Sequence, residues 1–526
     1  MERLAGKVML LSGTRRALTA FLAGLVGVLA LPPFGFLAAL FVSFTLLVWL
    51  LDGASAAPEA GFLRRLAPAF RIGWTFGFGY FVGGLWWLGN ALLVEADAFA
   101  WALPLAVFGL PAFLALYYGF AAALARLLWS DGMGRIAALA FAFGVGEWLR
   151  STLFTGFPWN AVGYGAMPVP LLMQSSGLVG LAGMNALAVF VFAAPALLGT
   201  RRGRVPGLGL AALLFAAHVG YGYYALNVVP TPESAATVVR LVQPVIDQAM
   251  KLDDSARADI FERHLALSAA APEGGKRPDV IVWPETSIPF ILTDNPDALV
   301  RIADVLEDDQ VLIAGAVRTE SAGSGKAPRY YNSIYAIDGK GQIVAAADKV
   351  HLVPFGEYMP FADLFESLGV DAVAMPGGFS AARAPQLLTA SGKGFYPLVC
   401  YEAIFPEEMA SVADDAVALL NVTNDAWFGN TPGPYQHFLQ ARLRAVERGA
   451  PLIRAANNGI SAVIDAKGRV VAGLSYDVPG FVDATLPGKL TSGEAGKWRN
   501  WAFPVTLALL LAMAGISRAG FRNRVN

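Results

Sequence analysis

Long apolar stretches constrain the fold of this 526-residue chain more than any other feature of its sequence. A transmembrane helix needs about 20 consecutive, largely apolar residues. The chain is 56% hydrophobic and only 15% charged, whereas soluble proteins average about 25% charged residues. We therefore expect a membrane protein with eight spans. They centre on residues 21–31, 36–50, 73–92, 103–124, 136–149, 178–198, 208–226 and 501–516.

The distribution of these stretches predicts three parts. Residues 1–228 hold spans one to seven, residues 229–497 form a soluble domain, and residues 498–526 hold span eight and a tail. In the middle part, short apolar runs alternate with amphipathic segments, which indicates an α/β fold. The predicted strands are 238–242, 279–283, 311–317, 333–337, 395–400, 416–422, 452–456 and 461–464, and the predicted helices are 255–270 and 436–448.

The basic residues of the short connections predict the orientation, because such loops tend to remain cytoplasmic. With eight spans, every basic cluster falls on one side of the membrane. We expect both termini in the cytoplasm, and the domain at 229–497 in the periplasm, attached to a bacterial inner membrane. The clusters are Arg15 and Arg16, Arg64 and Arg65, Arg126 and Arg135, Arg201 and Arg202, and Arg518 and Arg522.

Reactive side chains stand at the ends of three predicted strands. Glu285 follows the run Val-Ile-Val-Trp-Pro, Lys349 begins a short loop that ends at Glu357, and Cys400 closes the run Pro-Leu-Val. Cys400 is the only cysteine, so the chain can form neither an intramolecular disulfide nor a cysteine zinc cluster. Ligand sites of α/β folds gather at strand ends, and we expect these groups to converge.

Each of the three residues also has an ordinary structural interpretation. Glu285 alone would be a solvated acid, Lys349 a surface charge and Cys400 core filler. Together they match what a thiol nucleophile requires, namely a neighbouring base and a cation for the oxyanion that it creates. We therefore interpret them as a catalytic set.

The motifs Trp-Pro-Glu, Lys with a Pro-Phe-Gly-Glu loop, and Cys-Tyr-Glu resemble those of the nitrilase, or carbon-nitrogen hydrolase, superfamily over about residues 236–482. Combined with eight spans, the chain resembles the membrane branch of that superfamily, the apolipoprotein N-acyltransferases. The resemblance implies an α-helical membrane domain of eight spans joined to a nitrilase-like αββα sandwich.

The resemblance also implies residue roles. Glu285 would be the general base, Cys400 the nucleophile and Lys349 the electrophilic partner of the tetrahedral intermediate. The family also has residues that support the catalytic set or position the substrate. These are matched here by Glu357, Tyr401, Glu402 and Asn332. One departure is visible, because Leu252 follows Lys251 where many members have tryptophan.

The substrates implied by the resemblance are a phospholipid acyl donor and the free α-amine of an S-diacylglyceryl-cysteine apolipoprotein. The acyl chain would pass through a thioester on Cys400. We expect a monomer in contact with membrane lipid, without cofactor or metal ion. The net charge of −1 predicts no nucleic-acid partner.

Two apolar segments are candidates for lipid contact at the site entrance. One runs from Phe355 through Tyr358, Met359, Phe361, Phe365 and Leu368, and the other is the pair Trp427 and Phe428. The alternative is that they simply pack onto the sandwich.

Two other functions fit parts of the sequence. In a membrane-tethered amidase, water would resolve the acyl-enzyme, and the motifs alone do not separate this hydrolase from a transferase. In a non-catalytic transporter or ligand-binding scaffold, paired charges would lie inside the spans. By sequence, we expect the spans to be nearly free of such charges, which disfavours transport.

Overall fold

The computed structural model describes residues 1–57, 59–231, 233, 236–323, 327–360, 378–409, 411–490 and 495–525. The chain divides into two compact units. One comprises Met1–Pro230, Asn430–Leu439 and Ser492–Asn526, and the other comprises Thr231–Gly429 and Gln440–Thr491.

The first unit is helical. Six stretches in the described part of the chain are long and apolar enough to cross a membrane, namely Gly13–Ala30, Ala96–Leu127, Met133–Thr155, Ser176–Gly199, Arg204–Asn227 and Trp498–Gly520. The other α-helices of this unit are Glu2–Met9, Ala38–Asp52, Phe62–Leu85, Gly89–Leu93 and Pro170–Met173.

The predicted number of eight spans is not confirmed. The window at 36–50 lies on Ala38–Asp52, which has only 15 residues. The window at 73–92 lies largely on Phe62–Leu85, whose first half carries three arginines. Both segments are helical, as predicted, but neither has the length and apolar composition of the other six.

Two buried ion pairs in this unit correct the expectation that its helices are nearly free of paired charges. Arg150 lies 2.5 Å from Glu147, and Arg135 lies 3.5 Å from Asp52. The Glu147 carboxylate also accepts a hydrogen bond of 2.6 Å from the Tyr118 hydroxyl. Glu147 is bonded to Tyr118 on another helix and Arg135 is paired with Asp52 on another helix, so these charges connect neighbouring segments. The composition of the spans is therefore no reason to disfavour a transporter.

The second unit is built on two six-stranded sheets within the described residues. The first sheet has the order β12-β1-β2-β3-β4-β5 and the second β11-β10-β9-β8-β7-β6. The strands are β1 Val238–Gln243, β2 Val280–Val282, β3 Val311–Glu320, β4 Arg329–Asp338, β5 Ile343–Asp348, β6 Leu388–Ala390, β7 Lys393–Val399, β8 Ala418–Thr423, β9 Leu452–Ala456, β10 Ser461–Ile464, β11 Val470–Leu474 and β12 Gly480–Thr485.

Each sheet is parallel at its centre and antiparallel at its edges. Strands β1, β2 and β3 run parallel, as do β7, β8 and β9. Parallel neighbours need crossover connections, which include the helices Arg257–Ala269, Pro296–Val305 and Pro432–Arg448. A further short helix, Gln248–Leu252, follows β1.

Two apolar cores organise this unit. In the first, valines and leucines from both sheets face each other, for example Val282 of β2 and Leu420 of β8. In the second, the outer face of the first sheet packs on the helices through Phe261, Leu265 and Ile302. The predicted nitrilase-like arrangement of packed sheets with helices outside is thus present. The candidate residues Glu285 and Cys400 follow the parallel strands β2 and β7, and Lys349 follows the antiparallel edge strand β5.

Candidate active site

Glu285 is fixed by the residues that end β2. The Trp283 side chain is fully buried, and its indole N–H donates to the Ser268 hydroxyl at 2.7 Å. Pro284 then ends the strand because it has no backbone N–H. The Glu285 carboxylate accepts hydrogen bonds from the Asn332 amide at 2.8 Å and from the backbone N–H of Asn424 at 3.0 Å. The carboxylate is therefore held from both sheets.

Lys349 follows β5 and is 1% exposed. Its ammonium donates to Glu357 Oε1 at 3.0 Å and lies 3.8 Å from Glu285 Oε1. Burial alone would lower the pKa of Lys349, but the Glu357 and Glu285 carboxylates outweigh it and raise that pKa above its ordinary value. Lys349 therefore stays a cation throughout the physiological pH range.

Glu357 and Asn332 complete the surroundings of this ammonium. A tight turn, in which the N–H of Glu357 donates to the Val353 carbonyl at 2.9 Å, brings the Glu357 side chain inward. The Asn332 amide on β4 donates to Glu357 at 2.7 Å as well as to Glu285. One amide nitrogen thus donates to both carboxylates. Asn332 therefore stabilises two negative charges that lie beside the same Lys349 ammonium.

Cys400 lies directly after β7, where the chain turns into a short 3-10 helix, Cys400–Ile404. Its φ of 51° is in the left-handed region, which costs an L-residue about 1–2 kcal/mol. Such strain is typical of functional turns. The Thr423 hydroxyl of β8 lies 3.2 Å from the Cys400 sulfur.

The charges of the other two residues act on the Cys400 thiol. Burial raises the pKa of the thiol above its ordinary value, Glu285 raises it further, and Lys349 lowers it. The free thiol is therefore protonated near neutral pH, and a thiolate would form by transfer of its proton to a neighbouring base. Glu285 is a carboxylate in the same cluster.

Glu402 connects the cysteine turn to the lysine loop. Its carboxylate accepts hydrogen bonds from the backbone N–H groups of Val399 at 2.7 Å, Val350 at 2.8 Å and His351 at 3.1 Å. Tyr401 instead points into an aromatic group, with ring centroids 5.5 Å from His351 and 4.9 Å from Phe405. The structure thus gives Glu402 and Tyr401 packing and positioning contacts.

Two residues near Glu285 were missed by the sequence prediction. Asn424, which follows β8, supplies the backbone N–H that binds the Glu285 carboxylate. Lys251 donates from its ammonium to the carbonyls of Glu285 at 3.2 Å and Thr286 at 3.3 Å. The polar run Thr-Asn-Asp directly after an apolar strand was the available signal for Asn424.

The predicted lipid-contact segments are only partly described. Phe355 is 60% exposed and has a φ of 64°, so the turn that brings Glu357 inward turns this ring outward. Trp427 and Phe428 are partly buried. Phe361, Phe365 and Leu368 lie outside the described residues. Among the described residues, no group of three or more His, Cys, Asp or Glu side chains is placed to hold a metal ion.

Two family models match the chain, carbon-nitrogen hydrolase over residues 238–499 and apolipoprotein N-acyltransferase N-terminal domain over residues 23–194. The apolipoprotein N-acyltransferase of Rhizobium rhizogenes is 66% identical to the chain, and that of Sinorhizobium fredii is 64% identical. Both alignments cover 100% of this chain and 100% of the relative. The chain belongs to the apolipoprotein N-acyltransferase family. It is therefore a membrane-bound acyltransferase of lipoprotein maturation.

Among solved structures, the chain is similar to an amidase from Nesterenkonia sp., with a TM-score of 0.35 and 21% sequence identity. That match covers 52% of this chain and 98% of the amidase.

Proposed function

We propose that Cys400 takes a fatty acyl chain from a phospholipid and passes it to the α-amine of an S-diacylglyceryl-cysteine apolipoprotein. The observation that carries this mechanism is the buried contact of the Lys349 ammonium with the Glu357 and Glu285 carboxylates, beside a strained cysteine turn. It supplies a base, a fixed cation and a nucleophile in one cluster.

In the first step, Glu285 accepts the Cys400 proton and the thiolate attacks the ester carbonyl of the phospholipid. The oxyanion that forms is stabilised by the Lys349 ammonium. When the intermediate collapses, the carbon–oxygen bond of the ester breaks and the departing alkoxide takes the proton from Glu285. The products are a lysophospholipid and an acyl thioester on Cys400.

In the second step, the α-amine of the apolipoprotein attacks the thioester. An α-ammonium group has a pKa of about 8 and must lose its proton before it can attack. The ammonium first releases one proton to solvent. When the neutral amine attacks, Glu285 accepts the second proton of the nitrogen, and Lys349 again faces the oxyanion. The carbon–sulfur bond breaks, an amide forms, and the Cys400 thiolate recovers a proton from Glu285.

Glu357, Asn332, Glu402 and Tyr401 act as positioning residues in this proposal. Glu357 accepts a hydrogen bond from the Lys349 ammonium beside Glu285, and Asn332 donates to both carboxylates. Glu402 fixes the two backbone segments that carry Lys349 and Cys400. Tyr401 packs the cysteine turn against His351 and Phe405.

We further propose that the helices Ala38–Asp52 and Phe62–Leu85 also cross the membrane, which gives eight spans. With this number, the basic loops all face the cytoplasm together with both termini, and residues 229–497 face the periplasm. The protein would work as a monomer in the inner membrane, in contact with membrane lipid and without nucleic acid or cofactor.

Intact-mass measurement of the purified protein after incubation with phospholipid tests the chemistry. We expect one fatty-acyl adduct per chain, no adduct in Cys400→Ala, and adduct formation slowed by about 100-fold or more in Glu285→Gln, since a positioned general base contributes that much. Glu320→Gln, a partly exposed acid on β3, is the control and should acylate normally. An adduct that persists in Cys400→Ala would refute the proposal.

Adding a diacylglyceryl peptide distinguishes transfer from hydrolysis. The acyl-enzyme should disappear as acylated peptide accumulates. Free fatty acid without acylated peptide would instead identify a membrane-tethered amidase, in which water resolves the same thioester.

A further inference from the structure

Thr423 lies beside the reactive sulfur because of the register of the second sheet. Strands β7 and β8 are parallel, with Val399 opposite Val422, so the next residues, Cys400 and Thr423, stand side by side. The Thr423 side chain is fully buried. Its oxygen lies 3.2 Å from the Cys400 sulfur and 3.0 Å from Asp425 Oδ1.

Asp425 is itself held by a buried cation. Its second oxygen, Oδ2, accepts from the Arg454 guanidinium at 2.8 Å, and both side chains are 0% exposed. Arg454 also donates to Asn421 Oδ1 on β8 and, at 3.2 Å, to the Ile460 carbonyl. Asp425 is therefore a fixed acceptor whose charge is already balanced.

A threonine hydroxyl has one proton and can donate it to only one acceptor at a time. Both the Asp425 carboxylate and the Cys400 sulfur are within hydrogen-bond distance of the same oxygen. While the sulfur is a thiol, the carboxylate is the stronger acceptor. Once the sulfur is a thiolate, it becomes a charged acceptor as well, and charge-assisted hydrogen bonds are the strong ones.

We propose that Thr423 is a further catalytic residue, whose hydroxyl turns from Asp425 to the Cys400 sulfur when the thiol loses its proton. This inference rests on the proposed role of Cys400 as nucleophile. Only rotation about the Cβ–Oγ bond is needed, and no heavy atom has to move. When the sulfur binds the acyl group and loses its negative charge, the hydroxyl returns to Asp425.

Charged and polar groups on the surrounding described elements act on the sulfur. Glu285 after β2 and Asp425 after β8 disfavour the thiolate, whereas Lys349 after β5 and the Thr423 hydroxyl favour it. The Lys349 ammonium is shared with two carboxylates. Thr423 is thus the neutral donor that stabilises the thiolate without adding charge to the cluster.

Alkylation by iodoacetamide measures thiolate formation without any lipid. Because Cys400 is the only cysteine of the full-length protein, thiol alkylation reports this sulfur alone. The variants are Thr423→Val, which keeps the shape and removes the hydroxyl, Thr423→Ala, and Thr423→Ser, which keeps the hydroxyl. Thr389→Val, on the exposed side of β6, is the control.

We expect Thr423→Val and Thr423→Ala to alkylate at least about tenfold more slowly at pH 8, the effect of one hydrogen bond to a charged group. Their rate should rise with pH at higher values than in the parent protein. Thr423→Ser should stay within about threefold of the parent rate. Thermal unfolding midpoints identify any variant that is merely unstable.

The inference is overturned if both hydroxyl-free variants alkylate with the parent pH profile, or if the serine variant is as slow as they are. The proposed acyl transfer and the proposed role of Thr423 can be refuted independently of each other. A parent protein that alkylates at Cys400 but never forms an acyl adduct would refute the proposed function, whereas unchanged alkylation in both Thr423→Val and Thr423→Ala would refute only the role of Thr423.

Discussion

The Glu402 carboxylate accepts a hydrogen bond of 2.8 Å from the backbone N–H of Val350. Since its other oxygen accepts from Val399, the residue just before Cys400, one side chain fixes the lysine loop to the cysteine turn. The segments that carry Lys349 and Cys400 come from different sheets, and this carboxylate sets the separation between them.

Replacing Glu402 by alanine should therefore affect stability and chemistry together. The change leaves three partly buried N–H groups without their acceptor, and we expect a loss of roughly 2–4 kcal/mol in the free energy of unfolding. Acyl-adduct formation at Cys400 should slow by at least about tenfold. Thermal unfolding and intact mass measure the two effects. Glu407→Ala, an exposed neighbour, should change neither, and normal acylation in Glu402→Ala would contradict a positioning role for this carboxylate.

Lys349→Met should slow acylation by about 100- to 1,000-fold, the usual effect of removing an oxyanion-stabilising group. It should also change the pH dependence of Cys400 alkylation. Because Lys349 lowers the pKa of the thiol, its removal raises that pKa, and the alkylation rate should increase only at higher pH than in the parent protein. Lys340→Met, on an exposed turn, is the matched control. An unchanged pH profile would argue against contact between the lysine and the thiol.

Lys251 provides a pH-dependent stability test. Burial lowers the pKa of its ammonium to about 8, while Glu285 acts in the opposite direction. In the unfolded chain, lysine has a pKa of about 10.4. Between these values the unfolded state binds more protons, so stability should rise with pH from about 8 to about 10.

The measurement compares the unfolding midpoint of the parent protein and Lys251→Met across this pH range. The contribution of Lys251 to the rise should be absent from the variant. Lys276→Met removes an exposed lysine that also donates to a backbone carbonyl, and it should keep the parent slope. Identical slopes in the parent and Lys251→Met would show that the Lys251 ammonium is not buried.

Phe355→Ser tests lipid contact at the turn before Glu357. The ring is 60% exposed, so its loss should have little effect on the unfolding midpoint. If the ring touches acyl chains, acylation from long-chain phospholipids should fall several-fold more than acylation from short-chain ones. Val344→Ser removes an apolar side chain that is 51% exposed on the edge strand β5 and serves as control. Equal losses of acylation rate with long-chain and short-chain phospholipids would contradict contact between Phe355 and acyl chains.

The sequence predicted the central strands of both sheets but none of the four edge strands. The strands β5, β6, β11 and β12 form the sheet edges, and all four were missed. The prediction relied on continuous apolar runs, which occur where a strand is covered on both faces. Edge strands are partly solvated, and residues such as those of β11, which are mostly exposed, do not form such a run.

The residues of the candidate site likewise divide into those that the sequence predicted and those that it missed. Glu285, Lys349, Cys400 and Glu357 could be predicted because reactive side chains at the ends of apolar strands form a visible pattern. Thr423 and Lys251 act through one hydroxyl and one ammonium whose partners are distant in sequence. Sheet register and backbone turns bring them to the site. The polar run Thr-Asn-Asp marks the end of an apolar strand, but nothing local shows that the Thr423 hydroxyl reaches the Cys400 sulfur.

The cluster of Glu285, Glu357 and Lys349 contains two negative charges and one positive charge in a largely buried space. When Glu285 takes the proton of Cys400, the total charge of the cluster and the sulfur stays the same. Acylation of Cys400 therefore redistributes charge over a few ångströms without importing or exporting any. This step should consequently be insensitive to ionic strength, even though the enzyme is bound to a membrane.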